Sequence, residues 1–181
     1  MARLDHLKAE QLTPEQQRIA TEIASTRTRV GGPFGIWLRM PAIADAANKL
    51  GQTLRRDGKL DKRLFELAVL LMVRDWGAQY AWTVHDAAGR AAGLSDDVIA
   101  AIRERRPPKF AKADEQLIYD VISELLKTKR VSDTTYRRAV DALGLELFIE
   151  LIAVAGFYTM VAMTLNTFEV DTPDGGTPLA S

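Results

Sequence analysis

Glu66 and His85 are the residues of this sequence whose types suit proton transfer and whose surroundings are otherwise largely apolar. His85 closes the stretch Ala78-Gln79-Tyr80-Ala81-Trp82-Thr83-Val84-His85. On a helix, Ala78, Ala81 and His85 stand at i, i+3 and i+7 and share one face, which leaves room around the imidazole. An imidazole gives or takes a proton near neutral pH and is the commonest general acid–base group. The plain alternative is a structural histidine beside alanines that serve as helix filler. Glu66 lies among Leu64, Phe65, Leu67, Ala68, Val69 and Leu70. A carboxylate in such a stretch either faces solvent or is held by a partner, and periodicity leaves both readings open. His85 is the natural partner, across a turn at Gly77. The other histidine, His6, sits in a polar N-terminal segment and reads as solvated. No glycine-rich phosphate loop, no His or Asp cluster at metal spacing and no serine elbow occurs.

Other chemistry is excluded by what the chain lacks. It has 181 residues and no cysteine, so disulfides, thiolate metal sites and cysteine nucleophiles are ruled out for it. Lys plus Arg is 24 and Asp plus Glu is 24, which gives no electrostatic reason to expect nucleic acid or an anionic membrane as partner. The opening residues Met-Ala-Arg-Leu-Asp-His-Leu-Lys lack the apolar core of a secretory signal, and the expected location is the cytoplasm.

Positioning such a pair falls to helices, because strand signals are weak throughout and helical periodicity is strong. Thr13-Pro14-Glu15-Gln16 has the form of a capping box and starts a helix that runs to about Thr26. Val30 to Gly35 reads as a glycine-rich loop, and Phe34 and Trp37 follow near Arg39. Further helices are expected over about 41–56, 61–76, 78–92, 95–104, 113–127 and 132–144. A short basic loop, Arg105-Arg106-Pro107-Pro108-Lys109, separates two of them. Leu147 to Leu165 is an almost continuous apolar run, long enough to span a bilayer. Glu150 lies inside it, and a carboxylate at the centre of a spanning helix costs about 2.5–3.5 kcal/mol. A helix apolar on all sides equally forms the core of a globular protein or an oligomer, and that is the reading adopted. After Val170 the turn-rich tail is expected to be loosely ordered. The whole is an all-α, single-domain helical bundle.

The stretches Glu66-Leu-Ala-Val-Leu, Trp76 to His85 and Ala91-Ala92-Gly93-Leu94-Ser95, with the final helix Glu150 to Val170, resemble the carboxymuconolactone decarboxylase family, which shares its fold with alkylhydroperoxidase D. The resemblance covers about Gly31 to Asp174. It implies an N-terminal helical extension over 1–30, a family domain over 31–170 and a loose tail over 171–181. In the family's peroxidase branch a Glu precedes a Cys-x-x-Cys pair and a His. Those positions fall here on Glu66, Ala78, Ala81 and His85, so the thiol pair is absent. Many decarboxylase-like relatives carry Tyr-Glu-Trp before the His, where this chain has Tyr80-Ala81-Trp82. The resemblance further implies a homo-oligomer, commonly a trimer or hexamer, with pockets near subunit contacts, no organic cofactor and no metal.

Two functions follow as expectations. The first is a cofactor-independent, lyase-like enzyme acting by acid–base chemistry on a small carboxylated lactone or carbonyl acid. His85 and Glu66 are its catalytic candidates. Phe34, Trp37, Arg39, Ala78, Tyr80, Ala81 and Trp82 are its substrate-binding candidates. Arg39, Arg74 or a basic residue of a neighbouring subunit would grip the substrate carboxylate. The second is a non-catalytic oligomer that binds a small ligand or a protein partner and has lost the family chemistry. Neither is a thiol peroxidase, because alanine supplies no thiolate.

Overall fold

Side-chain caps set several of the helix starts. Thr13 N–H donates to Gln16 Oε1 at 2.9 Å and Gln16 N–H donates to Thr13 Oγ1 at 3.3 Å, closing the capping box that opens α1 (Pro14–Thr26). Gly32, at φ 57°, then turns the chain into α2 (Pro33–Trp37), with Pro33 at its first position. This five-residue helix occupies part of the segment expected to be a loop. The glycines mark the turn, and Pro33 restarts the helix directly behind it. α3 (Pro41–Gln52) runs on into a π-helical turn over Thr53–Asp57. Asp61 caps α4 (Lys62–Asp75) by accepting from the amides of Arg63 and Leu64. α5 (Gln79–Ala91) follows at once. Ser95 caps α6 (Asp96–Arg103), accepting from Val98 N–H at 3.2 Å. α7 (Ala113–Thr128) and α8 (Asp133–Leu143) come next, the latter capped by Ser132. α9 (Leu145–Thr167) is longer at both ends than the apolar run read from sequence.

The computed structural model describes residues 2–5, 7–26, 30–173 and 179. His6 and most of the tail beyond Pro173, of which particular orders were expected, lie outside the described residues. Among the described residues there is no strand.

These elements form two compact units. The first comprises Met1–Gly58 and Met163–Asp171. Its buried side chains include Ile19, Ile23, Phe34, Trp37, Leu38, Ala44 and Ala47. The Trp37 indole N–H donates to Thr164 Oγ1 at 3.0 Å, and Arg3 pairs with Glu169 at 2.7 Å. The second comprises Lys59–Ala162 and Thr172–Ser181. At its centre is α4, which contacts α5, α6 and α7. Leu67, Ala68, Val69, Leu70 and Val73 on α4 are completely buried, as befits a helix covered on most sides. Arg63 enters α4 as a buried cation, paired with Glu115 at 2.5 Å and Asp114 at 2.7 Å.

α9 is long and apolar enough to cross a membrane by length and composition. Its Leu151, Val154, Ala155, Phe157, Tyr158, Val161, Ala162 and Leu165 are buried within the protein. Glu150 accepts from the backbone amides of Lys59 at 2.9 Å and Leu60 at 3.1 Å. The carboxylate inside the apolar run is thus a bound acceptor.

Candidate functional site

The site starts from the tight connection between α4 and α5. Gly77 adopts φ 59°, a left-handed conformation that glycine takes without strain. Its N–H donates to Arg74 O, and the Ala78 N–H donates to Val73 O at 2.9 Å, so the last carbonyls of α4 are satisfied as the chain reverses. α5 then contacts α4. Glu66 sits about three helical turns before Gly77 and His85 about two after it.

This return brings the two side chains together. His85 Nδ1 lies 2.7 Å from Glu66 Oε2. An ionised carboxylate only accepts, and with Glu66 in that form the bond is one that Nδ1–H donates. The pair is nearly buried, with 11% of the His85 side chain and 13% of the Glu66 side chain exposed. The Tyr158 ring stands edge-on to the imidazole, with centroids 4.9 Å apart and planes at 89°. Tyr158 is held in turn against Phe65 and Phe157.

The other candidate residues differ in exposure and in which unit they belong to. Ala78 and Ala81 are buried, and Trp82 is buried with no hydrogen-bond partner for its indole Nε1. Tyr80 is half-buried. The other candidates belong to the first unit. Phe34 and Trp37 pack edge-to-face at 5.0 Å. The Arg39 guanidinium donates to the backbone carbonyls of Gly35 at 3.0 Å and Asp5 at 2.5 Å, which ties the arginine to the helix just before it and to the N-terminal stretch of the same unit. Arg74 is buried and its Nε donates to Arg103 O at 2.7 Å. Among the described residues no group of three or more His, Asp or Glu is placed to hold a metal ion.

Sequence reasoning passed over Tyr158. Its signal was a phenol within an otherwise apolar helix, but nothing local pointed it at His85. The pairing of Glu66 with His85 settles the alternative left open for Glu66: it is held by a partner.

No protein-family model and no curated protein sequence matches this chain. Solved structures do. A peroxidase-related protein of Ralstonia eutropha JMP134, described as an alkylhydroperoxidase AhpD core, superposes with a TM-score of 0.76 at 16% identity, covering 96% of this chain and 93% of its own. A peroxidase-related protein of Silicibacter sp. TM1040 gives 0.74 at 14% identity, over 96% and 92%. A protein of unknown function from Agrobacterium tumefaciens, linked by its description to AhpD and antioxidant defence, gives 0.64 at 18% identity, over 74% and 92%. At such identities the likeness is one of architecture, and the architecture of this chain is the all-α alkylhydroperoxidase D-like fold.

Proposed function

We propose that this chain is a cofactor-independent acid–base enzyme acting on a small carboxylated lactone or related carbonyl acid, with decarboxylation as its reaction. The observation that carries the reading is the nearly buried Glu66–His85 hydrogen bond of 2.7 Å. A nearly buried histidine oriented by a carboxylate, with the Tyr158 ring edge-on to it, suits general acid catalysis. Loss of CO2 from the substrate carboxylate leaves its electron pair on the carbon skeleton as a dienolate. His85 Nε2–H delivers the proton that quenches it, and Glu66 stabilises the imidazolium from which that proton comes. Product release and proton uptake from water restore the pair. No thiol step takes part, since Ala78 and Ala81 stand where the resemblance places the cysteine pair. The working form is a homo-oligomer, supported by the apolar residues that α9 leaves exposed.

The burial of Ala78 and Ala81 favours, as a second reading, a non-catalytic binding protein in which the Glu66–His85 bond is structural. One experiment separates the two. The purified protein is offered a panel of carboxylated lactones and CO2 release is followed. In the enzyme, His85→Ala lowers turnover by about 10²–10⁴-fold while the melting temperature and assembly hold. In the binding protein, no lactone is turned over and the same change mainly lowers the melting temperature.

A further inference from the structure

The basic loop singled out in the sequence has no part in the Glu66–His85 site, yet it lines a cavity of its own. Arg105 and Arg106, with Arg74 and Asp75 of α4 and Tyr119, Ser123 and Lys127 of α7, border a depression of about 260 Å³. Four cations and the carboxylate of Asp75 line it. Arg106 is shared with Glu104 at 2.7 Å. Counting both carboxylates, four positive charges less two negative leave a formal +2.

Part of this charge has a structural task. Arg74 Nε donates to the carbonyl of Arg103, the last residue of α6, and Arg105 returns a bond of 3.3 Å to the carbonyl of Arg74 near the end of α4. Cations at helix C-termini are stabilising. That task does not account for the whole cluster. Lys127 is exposed and enters no such bond with these ends. Arg74 is 5% exposed, so its charge is largely cut off from water. Burial, and then the neighbouring Arg105 and Arg103, hold its guanidinium below the usual arginine value. Arg105 keeps its place in the cluster with a left-handed backbone, φ 56°, which a non-glycine residue adopts at a cost. Like charges gathered on a concave, partly dry surface are what a multivalent oxyanion neutralises, by bonds from guanidinium groups whose planar fork matches carboxylate or phosphate.

We propose that this cavity is a binding site for a small multivalent oxyanion, a phosphate ester or a polycarboxylate. It is separate from the acid–base site: Arg74 lies eight residues beyond Glu66 on α4, about 12 Å along the axis. The site does not depend on the proposed reaction.

Calorimetric titration at constant ionic strength tests it, with inorganic pyrophosphate and citrate as probes in parallel. At least one binds saturably, one per chain, with Kd below about 1 mM, and the tighter of the two identifies the phosphate or the carboxylate source. Arg105→Gly keeps the left-handed backbone and deletes the guanidinium. Lys127→Ala deletes a charge from an exposed position. Each weakens binding about tenfold, the loss of one charge-assisted contact, with the helical circular dichroism unchanged. His85→Ala binds the probe as the wild type does. Failure of both probes to saturate, unchanged affinity in Lys127→Ala, or loss of binding in His85→Ala overturns the proposal.

Discussion

In the proposed reaction the two nitrogens of His85 have different tasks, and Glu66→Gln tests how they are linked. The amide oxygen of glutamine still accepts from Nδ1–H, so the geometry survives, while the negative charge that favours the imidazolium is gone. Turnover of a substrate found with the wild type is expected to fall, with the melting temperature little changed. Steady consumption of an organic hydroperoxide with a dithiol, in metal-free protein, is expected not to occur. Methionine oxidises but does not cycle with a thiol reductant unaided, so such turnover would overturn the acid–base reading. A second residue-scale expectation concerns Arg63. Removing its buried partner with Glu115→Ala is expected to cost about 1.5–3 kcal/mol in urea denaturation, the loss of one charge-assisted hydrogen bond while Asp114 still pairs the guanidinium. Its other partner, Asp114, is held below the ordinary carboxylate value of 3.8, first by the hydrogen bond from Arg63, with burial opposing and the Glu115 amide assisting. A depressed folded value means that the stabilisation is present above the unfolded value and is lost as pH falls through the folded one. The stability gap between the wild type and Asp114→Asn is therefore expected to close below about pH 4, which denaturation at a series of pH values reads directly.

At the scale of elements, the close approach of α4, α5 and α6 runs through Gly89. A Cβ there would stand 3.1 Å from Leu94 Cδ1 and 3.2 Å from Leu70 Cδ1. The tips of two leucines can yield to one methyl group but not to a branched side chain. Gly89→Val is expected to lose about 1–3 kcal/mol by overpacking, measured as a lowered denaturation midpoint. Caps made three of these helix starts legible in advance. Thr13 with Gln16, Ser95 and Ser132 all act where their positions in the sequence place them, since a cap is a local hydrogen bond between residues two or three apart. The five-residue helix α2 was not legible, because its glycines carry a loop signal and Pro33 suits a turn as well as a helix start. Half of the candidate site was legible too. Ala78, Ala81 and His85 share a face by helical arithmetic alone. That Glu66 meets His85 was legible as well, from the turn at Gly77 that folds two consecutive helices back on each other; that Tyr158 stands edge-on to the imidazole depends on how a distant helix packs, which periodicity within one helix does not contain.

At the scale of the whole molecule, α9 leaves Leu145, Ile149 and Met160 exposed at 53%, 60% and 36%, with Gly156 between them open to solvent. We propose that a second copy covers this stripe. Light scattering is expected to show an oligomer at micromolar concentration, and Met160→Glu to dissociate or precipitate it; a stable wild-type monomer would end the idea. The same helix carries a built-in reporter. Glu150 is the acceptor for the amides of Lys59 and Leu60, just ahead of α4. Those two protons are therefore shielded from deuterium only while α9 stays docked. Their exchange rates, read by NMR, count the excursions of the helix from its seat and separate them from unfolding of the rest. Glu150→Ala is expected to release both protons to fast exchange, while amides at the middle of α4 keep the slow rates of global opening.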